Sequence, residues 1–336
     1  MADIVHLFLI DVWLVFLGLF LTFYVVLDGF DLGIGVLSLF VRTPERRTLM
    51  MASLSTVWDA NETWLVVLGG ALFGAFPVAY GVILHSLYLP IITMIFGFAM
   101  RGVSFEFRAH SERRGFWDLC FGLGSLIAAL CQGFALGGLI SGTRVQDNQF
   151  VGGAFDWFSG FSVVVAIGVV FGYALLGATY LILKTEGDQQ AHAVRMAWVT
   201  GALMLAAAAA ISIWTPLRFP FIARKWFGNG LADPFVLPPA LAIFFSVMLA
   251  RALLKRKEVA PFCWAIGIFL CSLVGIVASF YPYIVPEVIT VQAAAADSLT
   301  LAFMMVGIGM LIPIMVIYNG YQYLVFRGKV RDSHYA

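Results

Sequence analysis

Of 336 residues, 62% are hydrophobic and only 12% are charged, far below the roughly 25% charge of a soluble domain. A net charge of +1 offers no electrostatic footprint for a nucleic acid, and no stretch reads as a soluble domain. The chain is therefore expected to be all-α and integral to a membrane, a single polytopic domain over residues 1–336.

A helix needs about 20 residues to cross a ~30 Å hydrocarbon core, and apolar runs of that length recur along the whole chain. Nine spans are predicted, over residues 6–40, 49–74, 79–107, 116–140, 158–183, 193–214, 235–254, 261–281 and 298–326. The first four, about 6–140, contain the polar residues, and the last five occupy about 158–326. Lys and Arg mark cytoplasmic loops. Sixteen of the twenty fall on one side: Arg42, Arg46, Arg47, Arg101, Arg108, Arg113, Arg114, Lys184, Arg195, Arg251, Lys255, Arg256, Lys257, Arg327, Lys329 and Arg331. The opposite loops hold only Arg144, Arg218, Arg224 and Lys225. This split predicts an outside N-terminus and a cytoplasmic C-terminus.

Ionisable groups inside a membrane face a protein interior or a wet cavity and point to function. In the first span, Tyr24, Asp28, Asp31 and Gly35 share one helical face. In the second, Asp59, Glu62, Val66 and Gly69 form a similar stripe. The third ends "MRGVSFEFR", placing Arg101 and Glu106 near the inner surface. At 1.5 Å per residue, Asp28 and Asp31 lie ~15 to 20 Å above the first inner arginines, with Asp59 about as far up the second span. The outer parts of the second and third spans offer only Tyr80, His85, Ser86 and Tyr88. A one-sided ladder of carboxylates with Asp59 at its top resembles a proton supply to a buried consumer. Burial favours the neutral carboxyl and so brings it within reach of proton exchange. The bland alternative is that the acids pair with Arg101 or bond across helices and fix the bundle.

The remaining features have mainly packing readings. Gly29/Gly33, Gly70/Gly74 and Gly133/Gly137 are G-x-x-x-G pairs, which allow close helix approach in lipid. Trp58 and Trp64 read as packing or interface aromatics. Cys120, Cys131, Cys263 and Cys271 have no C-x-x-C spacing and read as small buried hydrophobes. Of the histidines, His6, His110, His192 and His334 are assigned to span ends, loops or the tail, which leaves His85 inside a helix and no bis-histidine pair for haem. No metal site is expected in this chain.

Four motifs occur in order: "DGFDLGIG" at 28–35, "WDANETWLVVLGGALFGAFP" at 58–77, "MRGVSFEFR" at 100–108 and "FYPYIVPE" at 280–287. Together they resemble subunit II of the cytochrome bd-type quinol oxidases, and the compact length resembles the cyanide-insensitive branch. The resemblance implies two four-helix bundles plus one peripheral helix in a bacterial cytoplasmic membrane. It implies a partner, subunit I, that carries haem b and haem d, oxidises quinol and reduces oxygen to water; this chain would not be catalytic alone. It further implies a cytoplasmic proton path through Asp59, Asp28, Asp31 and Glu106, with Glu62 beside it, and a polar, quinone-adjacent core of Trp58, Arg101 and Asn61. A bound structural quinone, membrane lipid and a small single-helix accessory subunit are compatible with the same family. Two positions depart from its pattern: Ala60 stands in place of Gly, and Glu62 in place of an uncharged amide. Two other roles compete, a purely structural or quinone- or lipid-holding partner and a stand-alone proton-coupled transporter. The lack of outer acids and of an inverted repeat of the polar cluster counts against the transporter.

Overall fold

A computed structural model describes residues 2–228 and 234–330; the expectations for Arg331 and His334 lie outside the described residues. Eight helices there are long and apolar enough to cross a membrane. They are α1 (Ala2–Ser38), α5 (Tyr88–His110), α6 (Arg114–Ile140), α7 (Gly160–Lys184), α8 (Gly187–Arg218), α10 (Leu237–Leu254), α11 (Ala260–Phe280) and α13 (Ser298–Val325). Shorter elements join them: α2 (Pro44–Ala52), α3 (Trp58–Ala75), α4 (Pro77–Ser86), α9 (Pro220–Phe227) and α12 (Val291–Ala294). Two small antiparallel hairpins complete the chain, β1 (Val145–Gln146) with β2 (Gln149–Phe150), and β3 (Tyr283–Val285) with β4 (Ile289–Thr290).

The expected second span differs most from the structure. A helix running from residue 49 would place Asp59 deep within it, but the chain turns over 53–57 and α3 starts only at Trp58. The hydroxyls of Ser53 and Ser55 donate to the carbonyls of Met50 and Ala52, and such local bonds compete with continued helix. The third span is also divided, with α4 opening on Pro77 and ending at Ser86, and α5 starting at Tyr88. Proline suits these first turns because it lacks the N–H that a helix start leaves unpaired.

The core forms around α7, which is 67% buried through its most apolar stretch, against 6% for α13. Helix α1 packs on α3, α6 and α7, so the first and second halves share one core. At the α1–α7 crossing the backbones nearly touch: a Cβ on Gly33 would lie 1.8 Å from the Tyr173 carbonyl oxygen, and one on Gly177 2.6 Å from the Ile34 nitrogen. Gly133 and Gly137 give α6 the same closeness to Ala166 and Ser162 of α7. In the Gly70/Gly74 pair, Gly70 meets nothing within 4 Å, whereas a Cβ on Gly74 would lie 2.4 Å from the Met304 side chain of α13. Of the cysteines, Cys131 and Cys271 are buried as expected of packing residues, Cys120 is partly so, and Cys263 is exposed.

Polar ties fix the ends. Arg108 Nε donates to Asp118 Oδ1 at 2.5 Å and its Nη2 to the Thr48 hydroxyl at 2.8 Å, joining α5, α6 and α2. At another end Lys329 meets Glu258 at 2.9 Å, Lys184 donates to the Phe326 carbonyl at 2.7 Å, and Gln190 donates to Glu258 at 3.0 Å. These bonds hold Glu258 below the usual carboxylate range and bring together three loops that the charge map placed on one side. In the 141–159 loop, Arg144 grips Asp156 at 2.6 Å and holds its carboxyl below the usual range.

Gly33→Ala is expected to force α1 and α7 apart and cost about 1–3 kcal/mol or more, as overpacking does. Gly70→Ala should be neutral. Apparent melting temperatures of the two variants check this contrast.

Candidate functional site

The buried polar cluster is assembled from four helices that present one or two side chains each. Asp28 and Asp31 lie one turn apart on α1, and both are fully buried. Arg101 projects from α5, also fully buried, with Nη1 2.7 Å from Asp28 Oδ1 and Nη2 2.9 Å from Glu62 Oε2 of α3. Asn61, next to Glu62, donates from Nδ2 to Asp31 Oδ2 at 2.8 Å and accepts on Oδ1 from the Tyr323 hydroxyl of α13 at 2.8 Å. The Arg101 guanidinium also lies over the Phe98 ring at 5.2 Å.

Charge balance gives this arrangement its chemistry. Asp28, Asp31 and Glu62 share one guanidinium, so full ionisation would leave two negative charges uncompensated in a largely buried cluster. An unpaired buried charge costs several kcal/mol, so the number of protons held is coupled to every charge nearby. Asp28 Oδ2 and Asp31 Oδ1 are buried and accept no hydrogen bond from the described residues.

Three sequence expectations change. Arg101 lies level with Asp28 rather than below it: α5 continues nine residues past it to His110, about 13.5 Å of helix. That matches the depth of Asp28, ten residues before the end of α1 at Ser38, as their contact requires. Secondly, the acidic stripe of α3 is not its buried face. Asp59 and Val66 are exposed, while Ala60, Asn61, Trp64, Ala71 and Ala75 face inward. In a chain whose lipid-facing and core-facing sides are both apolar, periodicity finds the face but not its direction. Asp59 is therefore exposed at the start of α3 rather than buried among the other acids. Thirdly, Glu62, set aside as a neighbour, is the acid that joins the exposed flank to the buried pair, with its side chain 25% exposed.

Glu106 is exposed on α5, beyond the cluster. Trp58 stacks on Phe105 at 5.1 Å and 6°, bridging α3 and α5, while Trp64 is fully buried and stacks on Phe23 at 4.5 Å. His85 is exposed and stands edge-on to Phe150, and His6 pairs with the Ser298 hydroxyl at 2.9 Å. Sequence reasoning missed Tyr323 and Asp118. The signal for Tyr323 was the polar interruption of the last span by Asn319, Gln322 and Tyr323; for Asp118 it was a lone acid beside the inner arginines.

Arg101 and Asn61 are fully buried and bonded within the protein, and Trp58 is committed to Phe105. A separate groove of about 110 Å³ lies between α3 and α13, lined by Val67, Gly70, Ala71, Ile308, Leu311, Ile312 and Met315. No polar side chain lines it.

Comparison with known proteins agrees with this architecture. A family model described as cytochrome bd terminal oxidase subunit II matches residues 9–326. The cytochrome bd-I ubiquinol oxidase subunit 2 of Escherichia coli strain K12 is 25% identical over 360 residues, covering 95% of this chain and 94% of that one. The cytochrome bd ubiquinol oxidase subunit 2 of Bacillus subtilis strain 168 is 26% identical over 335 residues, covering 95% and 96%. In structure, the bd oxidase from Geobacillus thermodenitrificans aligns with a TM-score of 0.75 at 18% identity, over 95% of this chain and 98% of that one; this likeness concerns the fold. With the family model spanning nearly the whole chain, this multi-pass membrane protein belongs to the cytochrome bd terminal oxidase subunit II family, whose members are subunits of an oxidoreductase complex.

Proposed function

We propose that the chain is the haem-free subunit II of a quinol:oxygen oxidoreductase in a bacterial cytoplasmic membrane, where it stabilises a haem-bearing subunit I and supplies it with protons from the cytoplasmic side. Haem b and haem d in subunit I would supply the oxygen chemistry; this chain's residues hold and move protons. The observation that carries the reading is Glu62, whose carboxylate reaches from the exposed flank of α3 to the buried Arg101–Asp28 pair. Asp59 and Glu106 take protons at the exposed edge. Glu62 exchanges them with Asp28 and Asp31 and passes them across the open flank to the partner. Quinol as reductant follows from the ubiquinol oxidase names of the relatives.

The proposed topology has nine crossings, with α3 as the ninth: its 18 residues span about 27 Å despite its two acids. The N-terminus is outside and the C-terminus cytoplasmic. Two four-helix bundles stand beside a peripheral α13, which rests on α1 and α3 with most of its surface exposed.

A structural role has its own support at Asp28, which is fully buried and paired with Arg101. The two roles divide by residue. Asp59→Asn and Glu62→Gln should leave haem content and subunit I in place while oxygen consumption per haem falls roughly 10-fold or more, the scale of a lost proton-transfer group. If Asp59→Asn instead strips haem and subunit I, the proton role of Asp59 is wrong. Arg101→Leu should destabilise the assembly by about 3–5 kcal/mol, because it leaves buried carboxylates without their cation. Arg101→Lys should recover part of that loss, read as the apparent melting temperature of the complex.

A further inference from the structure

Helix α13 is the least buried of the eight long helices, yet its last turns carry Asn319, Gln322 and Tyr323, and two of these reach the start of α3. Gln322 donates from Nε2 to the Thr56 carbonyl, just ahead of α3. The Tyr323 hydroxyl donates to Asn61 Oδ1 at 2.8 Å, and this contact continues inward. Asn61 is fully buried, and its Nδ2 meets Asp31 Oδ2 at 2.8 Å and, more weakly, the Leu27 carbonyl at 3.4 Å. A side chain at the edge of the protein is thus two hydrogen bonds from a buried carboxyl group.

An amide has one accepting and one donating end, so its orientation decides what each neighbour can do. The phenol gives its single hydrogen to Oδ1 and so points the amino end at Asp31. Turned over, the amide would set Oδ1 against two oxygens, Asp31 Oδ2 and the Leu27 carbonyl, and would leave the phenolic hydrogen without an acceptor among the described residues. The turn becomes favourable only when Asp31 carries a proton on Oδ2 and donates it to Oδ1 of Asn61. In the arrangement present, Asp31 Oδ2 is already an acceptor, so a proton on this acid belongs on Oδ1. That atom is buried and accepts no hydrogen bond from the described residues; a proton there is not held in a bond to the amide.

We propose that Tyr323 is a positioning residue for the buried acids: through Asn61 it keeps the exchangeable proton of Asp31 on Oδ1 and off the amide. The groups that act electrostatically on Asp31 are Asp28 of α1, Glu62 of α3, Arg101 of α5, Tyr180 of α7 and Tyr323 of α13. The amide decides which oxygen of Asp31 carries the proton that those charges act on. The effect on turnover rests on the proposed proton supply, whereas the orientation of the amide does not.

Infrared difference spectra between acidic and neutral buffer, taken on the protein purified with its copurifying subunits, read the carboxyl group directly. The C=O band of protonated Asp31 is identified by its loss in Asp31→Asn. Tyr323→Phe should move that band to higher frequency, because the freed amide turns over and the carbonyl oxygen loses the bond from Nδ2. Oxygen consumption per haem should fall about threefold to tenfold, the scale of one hydrogen bond. Gln322→Ala breaks the other contact of α13 with the start of α3 and should leave the band in place. In Asn61→Leu the band should already be shifted, and adding Tyr323→Phe should change nothing further, as expected of a residue that acts only through another. An unmoved band in Tyr323→Phe, an equal shift in Gln322→Ala, a further shift in the double variant, or no band that Asp31→Asn removes overturns the proposal. So does wild-type oxygen consumption in Tyr323→Phe where Glu62→Gln still slows it. Should Tyr323→Phe lose haem or subunit I, Asn61→Leu alone must give the upward shift, and a band left in place there overturns the proposal. If the band shifts while Asp59→Asn and Glu62→Gln leave oxygen consumption unchanged, the orientation of the amide stands and the proton supply falls.

Discussion

Arg101 sits fully buried with its two terminal nitrogens 2.7 Å from Asp28 and 2.9 Å from Glu62, tying α5 to α1 and α3 through one guanidinium. A lysine could not serve both partners in the same way, because its point charge lacks the planar fork that addresses two carboxylates at fixed angles. The cation also sets the electrostatic tone of the molecule's centre. Without it, Asp28, Asp31 and Glu62 would be three carboxyl groups in apolar surroundings with no counter-charge. With it, the three acids share a fixed positive anchor. Structure and chemistry thus depend on the same side chain.

That anchor stays in register because the helices around it cannot slide. Gly33 and Gly177 let α1 and α7 meet backbone to backbone, four residues or fewer from Asp31 on one side and from Tyr173 on the other. The closeness fixes α1 along its length, and α1 in turn presents Asp28 and Asp31 at one level. Helix α3 is less tightly held by backbone contact and is located by side chains: Asn61 to Asp31, Tyr323 to Asn61, and Trp58 on Phe105. A close-packed α1–α7 pair with a side-chain-located α3 holds Asp28 and Asp31 in the interior, with Glu62 reaching Arg101 from the partly exposed side.

Membrane spans were legible because length and apolarity are one-dimensional properties, and six of the expected spans correspond closely to α1, α6, α7, α10, α11 and α13. The breaks at 53–57 and at Leu87 were not, since short serine-to-backbone bonds and proline-started helices interrupt runs that hydropathy reads as continuous. The residues of the site were legible as a set: Asp28, Asp31, Asn61, Glu62 and Arg101 do meet. Their order was not. Helix α5 continues past Arg101, which sets the guanidinium level with Asp28, and the late start of α3 moved Asp59 to the edge. Glu62 was ranked low as a stripe neighbour whose family position holds an amide; pairing of the acids with Arg101 was foreseen as an alternative, and the fold shows that Glu62 is one of the acids that makes it.

The exposed flank of α3 gives the strongest physical reason for a covering partner. Asp59 is exposed and Glu62 partly so, beside the exposed side chains of Val66 and Phe73. An acid at the centre of a membrane helix costs about 2.5–3.5 kcal/mol when lipid is the alternative, and less toward its end; these two lie one turn apart in the first turns of α3, on a flank that also exposes large apolar side chains. Lipid would penalise both; water would penalise Val66 and Phe73. A surface that combines apolar side chains with a few polar groups placed opposite the acids satisfies all four at once. The same cover would remove Glu62 from bulk solvent and strengthen its hold on Arg101, since an ion pair gains as its surroundings lose water. Docking of a partner on this flank and the proton content of the buried cluster are therefore thermodynamically linked, each shifting the other.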